Sequence, residues 1–330
     1  MISIIKHFFD EVKQLGIRTV INKTQIMKII IAGATGLIGE ALVKRLTGKH
    51  ELVIITRNVP AARKKFMGAG IHFADWHQPP SHLAALLEGS KVLINLAGTG
   101  IGDARWTEKR KEAILWSRVQ TVEALHKLLK AAEIKLDTVI QASAIGYYGF
   151  DDDKAFTEDD EVGTGFLAEV SYKWELAAAG LKEITERLIV IRSGVVLSEN
   201  GGALPKMVIP FRFFAGGKIG SGKQWLSWID IEDEIEAILF LFNNTKSSGA
   251  YNLVSPQPVQ QYEMAHAIGK AIGRPSVLPT PAFAIKMALG EMGNELLLKG
   301  TKASPKRLVE EGFQFHYTDI VESLNDRLKK

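Results

Sequence analysis

The stretch IIIAGATGLIGEAL, Ile29–Leu42, decides the fold of this 330-residue chain. Its three isoleucines predict a buried β-strand, and the residues after Gly39 have helical character. Gly33, Gly36 and Gly39 fall at the turn between them, with the spacing Gly-x-x-Gly-x-x-Gly. A glycine turn that opens a helix offers free backbone N–H groups and the positive end of a dipole to a pyrophosphate. The stretch therefore predicts a dinucleotide site, with a tight structural turn as the alternative.

Apolar runs and helical stretches alternate along the residues that follow. The further runs ELVIITR, KVLINLAG, DTVIQASA and RLIVIRSG predict more strands, separated by helices. Strands that alternate with helices predict an α/β fold, a Rossmann-type doubly wound parallel sheet with a smaller, mostly helical C-terminal substrate lobe. The predicted organisation is an N-terminal extension (1–26), a Rossmann domain (27–193, completed by about 225–255) and the smaller lobe (194–224 and 256–330).

The composition excludes several classes of protein. The net charge of +4 is small and dispersed, so nucleic-acid binding is not expected. The apolar runs are too short to cross a bilayer, and residues 1–26 have no signal-peptide pattern, so a cytoplasmic protein is expected. Residues 1–26 are expected to form an additional helix or to result from an upstream start codon, with a membrane anchor as the alternative. The chain has no cysteine, and no metal site is predicted because four histidines lack ligand spacing: His50, His72, His77 and His82.

The end of the second predicted strand indicates which dinucleotide is bound. Arg57 stands there, where an acidic residue would bind the ribose of NAD and an arginine suits the 2′-phosphate of NADP. We therefore expect NADP(H) in preference to NAD(H), with an unliganded surface arginine as the alternative. The residues expected to contact the cofactor are Gly33, Thr35, Gly36, Leu37, Ile38, Gly39, Arg57, Asp75, Leu96, Ala97 and Gly98.

Several motifs carry a family resemblance. AGATGLIG, NLAG, SAIGYYG and GSGKQWLSWIDIED resemble the extended short-chain dehydrogenase/reductase superfamily, which includes nucleotide-sugar epimerases. RWTEKRKEAILWSRVQT, FLAEVSYKWE, GGALPKM and GEMGNELLLKGTKASPKRLVEEGFQF resemble the YfcH-like epimerase family proteins, which have a C-terminal domain of unknown function. The resemblance runs from about Met27 to the end of the chain. It implies the fold and NADP binding, but no substrate, because the family is named by analogy.

The resemblance also locates the catalytic positions. Typical members use a serine and a Tyr-x-x-x-Lys pair, in which lysine lowers the pKa of the tyrosine and holds the nicotinamide ribose. In this register Ala144 takes the serine position, one residue after Ser143. Glu169 stands at the tyrosine position and Lys173 at the lysine position, where it is expected to contact the cofactor. The YfcH-like group generally lacks this tyrosine, so the departure resembles a family trait.

Two interpretations of Glu169 and Lys173 stay open. As an i,i+4 pair they stabilise an exposed helix by about 0.2–0.5 kcal/mol. Alternatively, Glu169 is a buried general acid/base and Lys173 contacts the ribose. Tyr172 points roughly 100° away from Lys173 on a helix, so it does not replace the missing tyrosine. Tyr147 and Tyr148 are alternative proton donors, or else aromatic residues of the core.

Basic and aromatic residues indicate where a substrate binds. Arg105 and Trp106 follow the fourth strand, where they bind an anionic or ring-shaped substrate or form a stacked structural pair. In nucleotide-sugar enzymes the glycine-rich segment that holds Lys218, Trp225 and Trp228 meets the nucleotide diphosphate.

The sequence favours an NADP(H)-dependent oxidoreductase or epimerase-like enzyme of the extended short-chain type. The expected partner is a small-molecule substrate, a sugar-nucleotide-like or small carbonyl compound, and a homodimer is an open possibility. The alternative is a sensor or scaffold protein that binds NADP but has lost catalysis.

Overall fold

The computed structural model describes residues 26–329. Within them the strands are β1 Lys28–Ala32, β2 Glu51–Thr56, β3 Ile71–Asp75, β4 Ser90–Asn95, β5 Leu136–Ala144, β6 Asp151–Phe156, β7 Thr185–Ser193, β8 Val195–Leu197, β9 Trp225–Leu226, β10 Trp228–Asp230, β11 Gly249–Leu253, β12 Val259–Gln260 and β13 Thr301–Ala303. The helices are α1 Leu37–Leu46, α2 Val59–Lys65, α3 Pro80–Leu87, α4 Glu108–Ala131, α5 Phe166–Ala179, α6 Leu204–Arg212, α7 Ile231–Asn243, α8 Gln261–Ala271, α9 Ala282–Leu289, α10 Glu291–Gly293, α11 Lys306–Glu310 and α12 Ile320–Leu328. Two 3₁₀ turns, Ile145–Tyr148 and Gly180–Glu183, and a π-helical turn, Asn294–Leu298, complete the described elements.

The main sheet has seven parallel strands in the order β11-β7-β5-β4-β1-β2-β3. The chain moves outward from β1 to β3 on one side and then returns to β4 on the other side, so Ala32 has Ile55 and Asn95 as its two neighbours. Reversal of the strand order opens a crevice at the carboxyl ends of β1 and β4. The predicted doubly wound α/β fold is confirmed.

The sequence explains why these elements form. Ile29, Ile30 and Ile31 are completely buried, as expected where helices cover both faces of a parallel sheet. Helix α1 buries Gly39, Leu42, Val43 and Leu46, a spacing that turns one stripe of the helix toward the sheet.

Two small sheets connect the C-terminal residues to the rest of the molecule. One pairs β8 with β10, and the other has the order β12-β9-β13-β6. Strand β6 therefore leaves the main sheet and pairs with β13. The two-lobe boundaries stay a prediction. Of the predicted N-terminal extension, residues 1–25 lie outside the described residues.

No helix within residues 26–329 is both long enough and apolar enough to span a membrane.

Candidate functional site

The glycine turn after β1 brings two backbones into close approach. Gly33 has a φ of +82°, and a Cβ atom there would lie 2.5 Å from the carbonyl carbon of Leu96. A Cβ atom at Gly39 would lie 2.3 Å from the carbonyl oxygen of Gly33. Only glycine fits both positions, so the turn, the start of α1 and the end of β4 form one compact edge.

The first turn of α1 suits an anionic ligand. Its N-cap residue, Gly36, contributes no side chain, so the N–H groups of the first turn have no side-chain cap. Thr35 is exposed beside it, while Leu37 and Ile38 are partly buried. Uncapped N–H groups at a glycine turn are the donors that a pyrophosphate requires, so the residues present fit a dinucleotide.

Cationic side chains surround the end of β2. Arg57 is exposed, and the next residue, Asn58, caps α2 by accepting the backbone N–H of Ala61 at 3.0 Å. Lys65 extends from α2 to the carbonyl oxygen of Thr35 at 3.2 Å and forms an ion pair with Glu40 at 2.6 Å, so that carboxylate balances its charge beside the glycine turn. At the end of β3, a carboxylate oxygen of Asp75 accepts the backbone N–H of His77 at 2.8 Å.

A buried amide pair shapes the loop after β4. The side-chain amide of Asn95 donates to the side-chain carbonyl of Gln141 at 2.8 Å, and its own carbonyl accepts the N–H of Ala97 at 3.2 Å. Gly98, the next residue of the loop, packs on Arg118. A Cβ atom at Gly98 would lie 3.1 Å from the guanidinium carbon. The loop is therefore held close to the end of its strand.

Arg118 lies under this loop. Its guanidinium donates to the carbonyl oxygens of Thr99 at 3.0 Å and Ile114 at 2.8 Å, and lies 5.0 Å from the ring centre of Trp174. Burial, together with the nearby charge of Arg110, lowers the pKa of Arg118 to about 10. It remains cationic near neutral pH and adds positive charge to this edge.

Ser143 belongs to a buried polar network. Its hydroxyl donates to a carboxylate oxygen of Glu175 at 2.6 Å. Arg192 donates to both carboxylate oxygens of Glu175, at 2.9 Å each, and to the hydroxyl of Tyr148 at 2.9 Å. The network joins the ends of β5 and β7 to α5, and it places Ser143 against protein groups.

The two adjacent tyrosines have different surroundings. Tyr148 is buried, its hydroxyl donates to Asn252 at 2.7 Å, and burial raises its pKa to about 12. The ring of Tyr147 is partly exposed, and its centre lies 3.6 Å from the guanidinium carbon of Arg192. Tyr147 is therefore the more accessible proton donor of the two.

Glu169 and Lys173 form an ion pair on α5. The lysine nitrogen lies 2.6 Å from a glutamate oxygen, and about half of each side chain is exposed, 53% for Glu169 and 45% for Lys173. A parallel strand and the helix that follows it run in opposite directions, so the first turns of α5 lie near the carboxyl edge of the sheet. The pair is exposed to solvent, so the expectation of a buried acid at Glu169 is wrong.

A neutral carboxylic acid lies behind β7. Glu234 on α7 is completely buried and accepts the hydroxyl of Ser193 at 2.6 Å. Burial raises the pKa of Glu234 to about 8, so it is mostly protonated at neutral pH.

The predicted substrate residues do not lie in one place. Arg105 is exposed and packs on Gly290, whereas Trp106 is buried and donates to the carbonyl oxygen of Ile101 at 2.8 Å. Trp228 is completely buried in a hydrophobic cluster with residues of α6, α8 and α12, and its indole donates to the carbonyl oxygen of Gln257 at 3.0 Å.

The other two residues of the glycine-rich segment are more accessible. Trp225 is half-buried under the ammonium group of Lys302, which lies 4.4 Å from its ring centre. Lys218 is exposed on a separate cavity beside α8. Within residues 26–329, no group of three or more His, Asp or Glu side chains is placed to hold a metal ion.

Sequence reasoning missed three charged residues of this region. Glu175 and Arg192 form the buried pair behind Ser143, and Glu295 accepts the N–H groups of Phe166 and Leu167 at the start of α5. An arginine inside the apolar run RLIVIRSG was a usable signal, because an arginine is almost never buried unless it is paired. Glu295 gave no comparable signal.

Comparison with known proteins supports the resemblance drawn from the motifs. The sequence profile of the NAD dependent epimerase/dehydratase family matches residues 29–253, and that of a domain of unknown function, DUF1731, matches residues 280–326. The epimerase family protein ML0860 of Mycobacterium leprae is 38% identical over 299 residues, which cover 90% of this chain and 94% of that protein.

Two solved structures are also similar. The human epimerase family protein SDR39U1 (isoform 2), crystallised with NADPH, is 30% identical and superposes with a TM-score of 0.81 over 92% of this chain and 99% of that one. The nucleoside-diphosphate sugar epimerase of Corynebacterium glutamicum is 33% identical, with a TM-score of 0.72 over 92% of this chain and 58% of that one.

Proposed function

Because this chain belongs to the NAD dependent epimerase/dehydratase family, we propose that it is an NADP(H)-dependent oxidoreductase or epimerase-like enzyme of the extended short-chain type. The observation that carries the proposal is the uncapped first turn of α1 beside Gly33, at the crevice between β1 and β4. Open sheets of this kind bind dinucleotides at such a crevice. The pyrophosphate would lie on the N–H groups of that turn.

The preference for NADP(H) rests on charge. Arg57 directly follows β2 and has no acidic residue beside it in the sequence, whereas the charge of nearby Lys65 is paired with Glu40. A 2′-phosphate requires cations, whereas free ribose hydroxyls are usually bound by a carboxylate. The human relative with NADPH, of which nearly the whole chain is covered, agrees with this choice.

We assign the chemistry of the site to α5. Bound NADPH supplies the hydride that reduces a carbonyl carbon, and the chain must then supply a proton to the oxygen. In this proposal Glu169 takes up a proton from the solvent that reaches it and donates that proton to the carbonyl oxygen, and Lys173, 2.6 Å away, contacts the ribose. Ser143 and Tyr148 have a supporting role, because their hydroxyls bind other protein groups.

The substrate would lie over the carboxyl edge of the sheet, close to Tyr147 and the loop that contains Arg105. We propose a sugar-nucleotide-like or small carbonyl compound, in keeping with the nucleoside-diphosphate sugar epimerase among the similar structures. The second candidate is an NADP-binding sensor or scaffold. Glu169, at the position where typical members have a tyrosine, favours this second candidate.

A titration with NADPH and NADH tests the cofactor assignment. We expect NADPH to bind more tightly than NADH, and Arg57→Ala to weaken NADPH about tenfold or more while NADH is unchanged. Lys91→Ala is the matched control, because this exposed lysine lies at the opposite end of the sheet, near the start of β4. Absence of binding by either nucleotide would overturn the proposal. Equal weakening of both nucleotides would overturn the role of Arg57.

A further inference from the structure

A cavity of about 620 Å³ lies in the smaller lobe, between α8, the start of α12 and the segment 276–279. Pockets for small molecules generally have volumes of 300–1,000 Å³. None of its lining residues comes from the glycine turn, the end of β4 or helix α5. It is therefore separate from the dinucleotide crevice, and the inference that follows does not depend on the function proposed above.

The wall of the cavity is held by backbone hydrogen bonds. Two extended segments, 216–220 and 278–280, pair through the N–H of Thr280 and the carbonyl of Lys218 at 2.8 Å, and through the N–H of Gly220 and the carbonyl of Thr280 at 2.9 Å. The N–H of Tyr262 donates to the carbonyl of Gly222 at 2.9 Å, which fixes the start of α8 to the same wall. Backbone hydrogen bonds thus fix the frame of the cavity.

Three basic side chains surround the opening. Lys218 comes from the glycine-rich segment, and His266 and Lys270 are one turn apart on α8. None of the three forms an ion pair or a side-chain hydrogen bond with another residue of the described part of the chain. By contrast, Lys206 and Lys306 form ion pairs, and Lys299 and Lys302 lie over aromatic rings.

One acidic group also lines the cavity, but its oxygens are occupied. Glu263 accepts the backbone N–H of Gln260 at 2.7 Å and the hydroxyl of Tyr262 at 3.3 Å, as part of the cap of α8. The cavity therefore has more positive than negative charge, and its cations have free donors. An anion with several acceptor oxygens satisfies such donors.

Apart from Ser276, the rest of the lining is apolar or aromatic. Ala267, Ile320 and Val321 contribute to the lining, and Val277 is 74% exposed beside them. Tyr262, which is 47% exposed, precedes His266 by one helical turn and adds a ring to the same side. A ligand that fits must combine an anionic group at the opening with a flat apolar part.

We propose that this cavity is a second ligand site, which binds a phosphomonoester that carries a planar ring. Its phosphate lies between Lys218 and Lys270, with His266 as a further donor. Its ring rests on Tyr262 and on the apolar residues from α12. This assignment gives a ligand contact to Lys218, whose exposed side chain lines the cavity.

Calorimetric titration of the full-length protein, first without NADPH and then with saturating NADPH, tests the proposal. The probes are phenyl phosphate, inorganic phosphate and phenol. We expect phenyl phosphate to bind with a Kd on the order of 1 mM or lower, at least about tenfold more tightly than either of the other probes. Equal affinity for phenyl phosphate and inorganic phosphate would overturn the role of the ring. Loss of phenyl phosphate binding on saturation with NADPH would place the anion in the dinucleotide crevice and overturn the proposal.

Variants locate the site. Lys218→Gln combined with Lys270→Gln is expected to weaken phenyl phosphate about tenfold or more, because each lysine supplies a charge-assisted hydrogen bond. Tyr262→Ala should reduce the preference for phenyl phosphate over inorganic phosphate. Lys286→Gln, an exposed lysine of α9 outside the cavity, is the matched control and should bind like the wild type. Unchanged affinity in the double variant would overturn the proposal.

Discussion

Glu295 closes the N-terminus of the helix that begins at Phe166, because its buried carboxylate accepts the backbone N–H of Phe166 at 3.1 Å. The second carboxylate oxygen accepts the N–H of Leu167 at 3.2 Å. The preceding residue, Gly165, has a φ of +109°, and a Cβ atom there would lie 3.0 Å from Glu295. A residue of the C-terminal region, in the π-helical turn, thereby fixes the helix that contains Glu169 and Lys173.

We expect Glu295→Gln to lower the free energy of unfolding by about 1–3 kcal/mol, because the amide retains one acceptor oxygen and loses the charge at the helix dipole. Urea denaturation measures this, and hydrogen exchange at the amides of Phe166 and Leu167 should become faster. Glu291→Gln is the control, since Glu291 lies four residues earlier, is 45% exposed and forms an ion pair with Lys111. Equal stability of the two variants would contradict the role of Glu295.

The glycine turn gives a second prediction, with an internal comparison. Gly33 and Gly48 have nearly the same φ, +82° and +79°, but only Gly33 has backbone atoms within 3 Å of an added Cβ. Gly48→Ala should cost about 1–2 kcal/mol of stability from the left-handed conformation alone. Gly33→Ala should lower the stability by about 1–3 kcal/mol more than Gly48→Ala does, because the backbone of Leu96 must move. It should also strongly weaken the binding of NADPH. Similar stabilities and affinities of the two variants would refute the close approach.

The pair on α5 gives a prediction for catalysis. With NADPH and a panel of ketones, quinones and nucleotide sugars, we expect at least one compound to be turned over. Lys173→Ala should then weaken NADPH, and Glu169→Gln should lower kcat about 10²-fold or more with little change in NADPH affinity. Glu161→Gln, an exposed acid before α5, is the control. Full activity in both variants would leave the pair as a helix-stabilising contact, and absence of turnover would favour the sensor.

Glu234 gives a prediction for pH. Its pKa is about 8 in the folded protein and near 4.5 when it is exposed, so between these values the native state holds a proton that the unfolded chain releases. Stability from this group is therefore present at low pH and is lost as the pH rises from about 5 to 8. Relative to Glu234→Gln, the wild type should lose roughly 1 kcal/mol per pH unit over this range. Urea denaturation at several pH values measures the free energy of unfolding of both proteins. The same pH dependence in the wild type and in Glu234→Gln would contradict the buried acid.

The sheet and the glycine turn could be predicted from sequence because their signals are local. Continuous apolar runs such as Ile29–Ile31 occur where both faces of a strand are covered, and glycine spacing marks the close approach at Gly33. Strand β6 gave no such signal. Its sequence, DDDKAF, has low β propensity, and its conformation follows from pairing with β13, far along the chain.

The candidate site could be predicted only in part, for a related physical reason. The family register predicts catalytic positions at Glu169 and Lys173, and these stay a prediction. The partner of Ser143, Glu175, depends on how α5 packs on β5. The burial of Trp228 likewise depends on helices that follow it by many residues, so its aromatic ring alone could not distinguish a substrate contact from a core contact. Long-range packing, absent from any local pattern, decided these residues.

The position of β11 at the edge of the main sheet has a consequence for biosynthesis. Strand β7 ends at Ser193, but the strand that covers its outer edge ends at Leu253, 60 residues later. At roughly 5–20 residues per second, a ribosome needs about 3–12 s to make that length. During this interval the nascent chain has an open apolar strand edge, the kind of surface that aggregates and that chaperones bind. Translation speed between Ser193 and Leu253 should therefore influence the yield of folded protein.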